Sequence, residues 1–220
     1  MSVLEKVSYN ISSKLGRITN KDEDEIEVMN YGLFMAMHTL LAIILTLIVG
    51  VIIGRLKEVV LISIVAASLK RCSGGVHATS ANRCLIIGII TSLIFTYICL
   101  GINSISNLSI FYIFTLINLS LCSFIFYKKA PMGNKNKPLN KESTRKKLRK
   151  QLFRLLLIYY LLILLIIVLI NYKIIGYNNL IFAYCIEFGV LLQCIGLTKV
   201  GESTILKLDS ILKYNIIRGI

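Results

Sequence analysis

Tryptophan is absent, and proline (Pro131, Pro138) and histidine (His38, His77) occur only twice each. Acidic residues are also few, 11 against 25 Lys and Arg, leaving a formal net charge of +14. A chain with two prolines in 220 residues, 56% of them hydrophobic, is neither a disordered linker nor an ordinary soluble domain. There is no glycine-rich loop ending in Gly-Lys-Ser/Thr, so powered transport would need another subunit. No cleavable secretory leader is expected either, because the first 30 residues are polar and include Asp22, Glu23, Asp24, Glu25 and Glu27.

What the chain does have is a series of long apolar runs. A helix crossing the roughly 30 Å hydrocarbon layer needs about 20 apolar residues, at about 1.5 Å of rise each. Residues 33–54, Leu85–Gly101, Leu108–Tyr127, Gln151–Ile170 and Leu180–Thr198 meet this requirement. Val59–Leu69 is shorter and spans only if Lys57 and Lys70 snorkel or the bilayer thins. The expected fold is therefore an all-α integral membrane protein of about six transmembrane helices, one of them short and open to a re-entrant path. Lys and Arg test this layout, because they accumulate on the cytoplasmic side. With both termini inside, 22 of the 25 fall in cytoplasmic segments and only Arg55, Lys57 and Lys173 outside. The positive charge then reads as a topology signal, and nucleic acid is not needed to explain it.

The expected organisation is a single membrane domain over 1–220. Residues 1–30 form an N-terminal segment in which Val3, Leu4, Val7, Ile11, Leu15 and Ile18 recur at helical spacing, as in an amphipathic helix on the inner membrane surface. A helix packed on the cytoplasmic ends of the spans would show the same pattern. Residues 31–127 hold the first four membrane segments with a polar loop at 70–84. A basic cytoplasmic loop follows at 128–150, then the last two spans at 151–198 and a cytoplasmic tail at 199–220.

Cys99, Cys122, Cys185 and Cys194 fall inside spans, where cysteine packs as a small apolar residue, and Cys72 and Cys84 face a reducing cytoplasm. Disulfides are not expected. Chemistry-bearing side chains crowd instead into Lys70-Arg-Cys-Ser-Gly-Gly-Val-His-Ala-Thr-Ser-Ala-Asn-Arg-Cys84. Thiol chemistry needs a base within hydrogen-bond reach of the sulfur. On an unbroken helix the seven-residue step from His77 to Cys84 separates the two by about 10 Å along the axis, so the chain must turn between them. Thr79-Ser80-Ala81-Asn82 suits that turn, and a cap at Ser80 or Asn82 would place Cys84 in the first turn of the next span. There the helix dipole and Arg83 would favour the thiolate. Gly74-Gly75 permits positive φ or a close approach to a substrate. Spacing alone also fits a loop histidine beside a packing cysteine. A zinc site from Cys72, His77 and Cys84 would lack a nearby fourth ligand, so no metal and no cofactor are expected.

Lys70-Arg71, Gly75, His77 and Cys84, followed by a basic loop with Ala130-Pro131 and Lys135-Asn-Lys-Pro138, resemble the accessory gene regulator B family, the AgrB-like cysteine endopeptidases of bacterial quorum sensing. The likeness extends over nearly the whole chain. It implies His77 and Cys84 as the catalytic pair, supported by Gly75 and by Lys70 or Arg71, of which Arg71 offers directed, bidentate bonds. Family members remove the carboxy-terminal tail of a small propeptide and close a thiolactone ring. The partners so implied are a propeptide with an acidic tail and the anionic lipid of the cell membrane, with a homodimer left open.

Ten basic residues between Lys128 and Lys150, against the single acid Glu142, make a positive patch. It reads either as a stop-transfer signal that binds anionic lipid or, through Lys128, Lys129, Lys135 and Lys137, as a dock for the acidic tail. His38 and Glu187 are ionisable groups inside spans and should face the interior with a partner. Glu187 is a candidate to orient an imidazole or hold Arg71, or simply to make an interhelical hydrogen bond. A non-enzymatic transporter or channel remains the alternative, and it would tolerate loss of the Cys84 thiol.

Overall fold

The computed structural model describes residues 3–133 and 141–218 and is helical almost throughout, with an isolated backbone bridge between Gly74 and Met132. The chain divides into two compact units, residues 1–52 and 53–220.

The first unit is an antiparallel pair, α1 (Val3–Ile18) and α2 (Glu23–Ile52). Asp22 starts α2 with a reciprocal cap: its Oδ1 accepts the Glu25 N–H at 2.8 Å, and Glu25 Oε2 accepts the Asp22 N–H at 3.4 Å. The side of α1 facing α2 is made of small residues, Ser8, Ser12 and Gly16. Ser8 donates to Asn30 Oδ1 at 2.8 Å, and a Cβ on Gly16 would fall 2.3 Å from Ile26. The apolar stripe foreseen from the sequence, Val3, Val7, Ile11, Leu15 and Ile18, stays exposed within this unit. Halfway along α2, His38 rests against Phe34, their ring centroids 5.8 Å apart.

The second unit contains α3 (Leu56–Ser73), α4 (Ala81–Ile105), α5 (Leu108–Lys129), α6 (Glu142–Asn171), a 3-10 turn at Tyr177–Asn179, α7 (Leu180–Gly196) and α8 (Lys199–Arg218). At its centre is α7, packed against α3, α4, α5 and α6. Twelve of its 17 residues are buried, as expected of a helix apolar on every side. Lipid offers little hydrophobic drive between helices, so close packing through small residues holds such a bundle together. Gly189 shows this directly. A Cβ there would lie 2.6 Å from Val65 Cβ and 3.0 Å from the Ile62 carbonyl, so α3 and α7 meet nearly backbone to backbone. Further up α7, Tyr184 meets Phe111 edge-on at 4.7 Å, and Phe188 stacks on Phe114 at 5.4 Å.

Many of the largest aliphatic side chains point outward, among them Ile94 and Ile98 on α4, Ile113 and Leu116 on α5, and Leu161 and Leu164 on α6. This inverted surface belongs to a multi-pass membrane protein. Among the described residues five helices are long and apolar enough to cross: α2, α4, α5, α6, and α7 with its preceding turn. The short sixth segment expected from the sequence is α3, whose 18 residues reach about 27 Å but carry Lys57, Glu58, Lys70 and Arg71 near their ends. It runs through the packed unit with Val59, Ile62, Val65 and Leu69 fully buried.

Candidate active site

The polar segment foreseen at 70–84 is partly helix. Lys70 and Arg71 lie in the last turn of α3, which ends at Gly74, where φ is 71° and the amide donates to the Lys70 carbonyl at 2.9 Å. Only glycine fits at 74: a Cβ would come 2.0 Å from the Met132 carbonyl oxygen. The Met132 amide in turn donates to the Ser73 carbonyl at 2.8 Å. From α7, Gln193 Nε2 donates to Ser73 Oγ at 2.8 Å and to the Gly74 carbonyl at 2.9 Å. Gly75 follows, buried and at φ 124°, and the chain then runs on through Val76, His77 and Ala78 without regular structure.

The far end of the segment is held from another direction. Ser80 precedes α4, and its carbonyl accepts the Cys84 amide at 2.9 Å, so Cys84 closes the first turn. Ser80 makes no side-chain cap. Instead Asp209 of α8 accepts the Thr79 amide at 3.2 Å, the Thr79 hydroxyl at 2.8 Å and Arg83 Nε at 2.6 Å, and Arg83 also donates to Thr79 Oγ1. The turn between His77 and Cys84 foreseen from their spacing is thus made. It brings His77 Nδ1 to 3.7 Å from Cys84 Sγ.

Partial desolvation and then the Lys70 ammonium hold the His77 imidazole, which keeps an exposed side, below its ordinary value of 6.5, so the ring is neutral at pH 7 and able to take a proton. Of the two basic candidates, Lys70 is the one whose charge reaches His77, while the Arg71 side chain is exposed. Arg83, expected to act on Cys84, is engaged by Asp209 instead. Burial pushes the Asp209 carboxyl up, but the bonds from Arg83 and Thr79 outweigh it and leave it below its ordinary value of 3.8. Cys84 is half-buried, whereas Cys72, Cys99, Cys122, Cys185 and Cys194 are buried. Among the described residues no three His, Cys, Asp or Glu side chains gather as a metal ion would require.

The other sequence candidates lie elsewhere. The backbone carbonyl of Glu187 accepts Asn118 Nδ2 at 3.0 Å, but the interhelical bond expected of the side chain is not made among the described residues. Its fully buried carboxyl joins neither Arg71 nor His77 and closes no hydrogen bond among the described residues. Lys128 sits 4.6 Å over the Phe124 ring, and Lys129 Nζ donates to the Leu197 carbonyl at 3.1 Å, closing the end of α7. Lys135 and Lys137 lie outside the described residues. Two polar residues that hold the segment, Gln193 and Asp209, are absent from the expectations. Gln193 was discoverable as an amide within an apolar run, whereas Asp209 stands in a mixed polar tail with nothing to mark it.

With this geometry in place, comparison with known proteins shows a match to the family model of accessory gene regulator B over residues 5–197. The chain belongs to that family. An AgrB-like protein of Clostridium perfringens strain SM101 is 31% identical over 94% of this chain and 97% of its own length. An AgrB-like protein 2 of Clostridium perfringens strain 13 is likewise 31% identical, over 94% and 97%. No solved structure matches the chain. The accessory gene regulator B match spans all the helices but α8, so His77 and Cys84 lie inside it and Asp209 beyond it.

Proposed function

We propose that this protein is a membrane cysteine endopeptidase that trims and cyclises a quorum-sensing propeptide, with Cys84 as nucleophile and His77 as general base. The observation that carries this reading is the 3.7 Å approach of His77 Nδ1 to Cys84 Sγ across a turn. The neutral imidazole takes the thiol proton as sulfur attacks a peptide carbonyl of the propeptide. The carbon–nitrogen bond then breaks, His77 returns the proton to the leaving amine, and the tail departs, leaving a thioester on Cys84. A cysteine of the bound peptide attacks that thioester, releases Cys84 as thiol and closes a thiolactone. Exchange of one thioester for another is nearly neutral in free energy, so closure depends on keeping water from the acyl-enzyme, which suits a site at a membrane edge.

The substrate is a small propeptide whose acidic tail docks on the basic loop. Lys146, Arg149 and Lys150, with Tyr127 and Phe153, line an open hollow at the start of α6 that adds to this patch. The excess of Lys and Arg on one set of connections supports a cell-membrane placement with both termini and the site at the cytoplasmic face.

Co-expression with a candidate precursor encoded nearby, followed by mass spectrometry, tests the reading. Cleaved tail and cyclic product are expected from the wild type. Neither should appear with Cys84→Ser or His77→Ala at equal membrane abundance. Unchanged processing by Cys84→Ser would overturn the assignment and leave the transporter alternative standing.

A further inference from the structure

The 79–84 turn is fastened to α8 by one buried acid. Asp209 is 4% exposed, yet among the described residues every bond of its carboxyl goes to the stretch just before Cys84: the Thr79 amide, the Thr79 hydroxyl and Arg83 Nε. These partners lie 130 and 126 residues away in the chain. Thr79 is two residues after His77, and Arg83 directly precedes Cys84. A single carboxylate therefore holds both ends of the turn that sets the His77–Cys84 distance. Ser80 makes no side-chain cap, so the side-chain hold on this helix start comes from α8.

Burying an acid is costly unless it is paired and hydrogen-bonded, and here both oxygens are used, one on Thr79 and one on Arg83. The same pairing turns the Arg83 guanidinium toward Asp209 and Thr79. We infer that Asp209 is a positioning residue, a clamp from α8 that sets the turn between His77 and Cys84 so that the imidazole reaches the thiol. This inference rests on the proposed thiol chemistry of that pair and adds to it a residue outside the family match.

The test is a double-mutant cycle on the full-length protein in lipid nanodiscs, reading the rate at which iodoacetamide alkylates Cys84 at pH 7. Cys72, 6% exposed, reports folding in the same sample, because it labels only if the packing around α3 opens. His77→Ala should slow Cys84 labelling about tenfold in the wild-type background, since the ring no longer takes the thiol proton. Asp209→Ala should slow it to a similar extent with Cys72 still protected. In the Asp209→Ala background His77→Ala should then cost less than about twofold, because two residues acting through one contact are not additive.

Equal costs of His77→Ala in both backgrounds would overturn the clamp while leaving the nucleophile and base in place. No effect of His77→Ala even in the wild type would remove the pairing itself, and the clamp with it. Should Asp209→Ala expose Cys72, Asp209→Asn and Thr79→Val decide instead. The first keeps the shape of the side chain without the charge, the second removes the two bonds of the Thr79 hydroxyl, to Asp209 and from Arg83, and leaves Asp209 intact. Both should slow Cys84 and weaken its coupling to His77 by a smaller factor. A wild-type rate in both would sink the inference.

Discussion

Cys84 differs from the other five cysteines in being only half-buried and in facing an imidazole, and it should be the first of the six to alkylate. Peptide mapping after brief labelling would show this. Faster labelling at Cys72 would contradict the geometry. His77 also bears on pH. Its depressed value means that the folded state binds fewer protons than the unfolded chain as pH falls through the ordinary 6.5. The stability this neutral ring contributes is present above that value and lost as pH falls through the folded one. The same shift keeps His77 available as a base somewhat below pH 6.5. The acid limb of the processing rate should therefore sit on the acid side of 6.5, and a limb above it would contradict the assigned environment. Asp209 has the same sign for its own reason: its contribution is present above the ordinary 3.8 and is lost in stronger acid. The chemical residue types at this site were legible in the sequence. That the Lys70 charge rather than that of Arg71 reaches His77, and that Arg83 pairs with Asp209, were not, because each depends on where a long side chain points.

The decisive element is α7. Its contact with α3 at Gly189 has no room for a methyl group beside Val65. Gly189→Ala should therefore destabilise the bundle by about 1–3 kcal/mol, the usual cost of overpacking, and lower the unfolding temperature in detergent. A neutral result would mean that the two helices are farther apart. The same packing brings Cys99 of α4 to 3.7 Å from Cys185 of α7. Gly74 joins packing to chemistry, since its positive φ and its contact with Met132 both exclude a side chain. Gly74→Ala should reduce processing even where the protein still inserts, as measured by tail release per unit of membrane protein. These constraints were only half visible in advance. Gly-Gly before a histidine suggested backbone freedom, but the neighbour that demands it comes from the connection after α5, 58 residues later.

Across the second unit, surface chemistry divides by location: aliphatic side chains cover the outward faces of α4, α5 and α6, and basic residues crowd the end of α5, the connection after it and the start of α6. Neutralising Lys128, Lys129, Lys135 and Lys137 together should raise the precursor concentration needed for half-maximal processing more than it lowers the maximal rate. Single changes should do little, because an exposed ion pair contributes only about 0–1 kcal/mol. Wild-type processing by the quadruple variant at limiting precursor and raised salt would restrict the loop to topology. Lys129 calls for its own control, since it also closes the carboxy-terminal end of α7 through the Leu197 carbonyl.

By itself the sequence determined the environment, the helices and the residue types of the candidate chemistry. An apolar run of about 20 residues has few ways to satisfy its backbone other than a membrane helix, and Lys and Arg mark its ends. The His–Cys spacing required a turn, and the chain has one. The tertiary structure alone decided which helix is central and which polar groups meet. In lipid, an apolar face turned outward looks the same in sequence as one turned inward, so periodicity does not show that α7 is enclosed while α5 is largely exposed. Partners such as Gln193 with Ser73, or Asp209 with Thr79 and Arg83, lie more than a hundred residues apart. They are chosen by where packed helices end in space, and no local pattern records that.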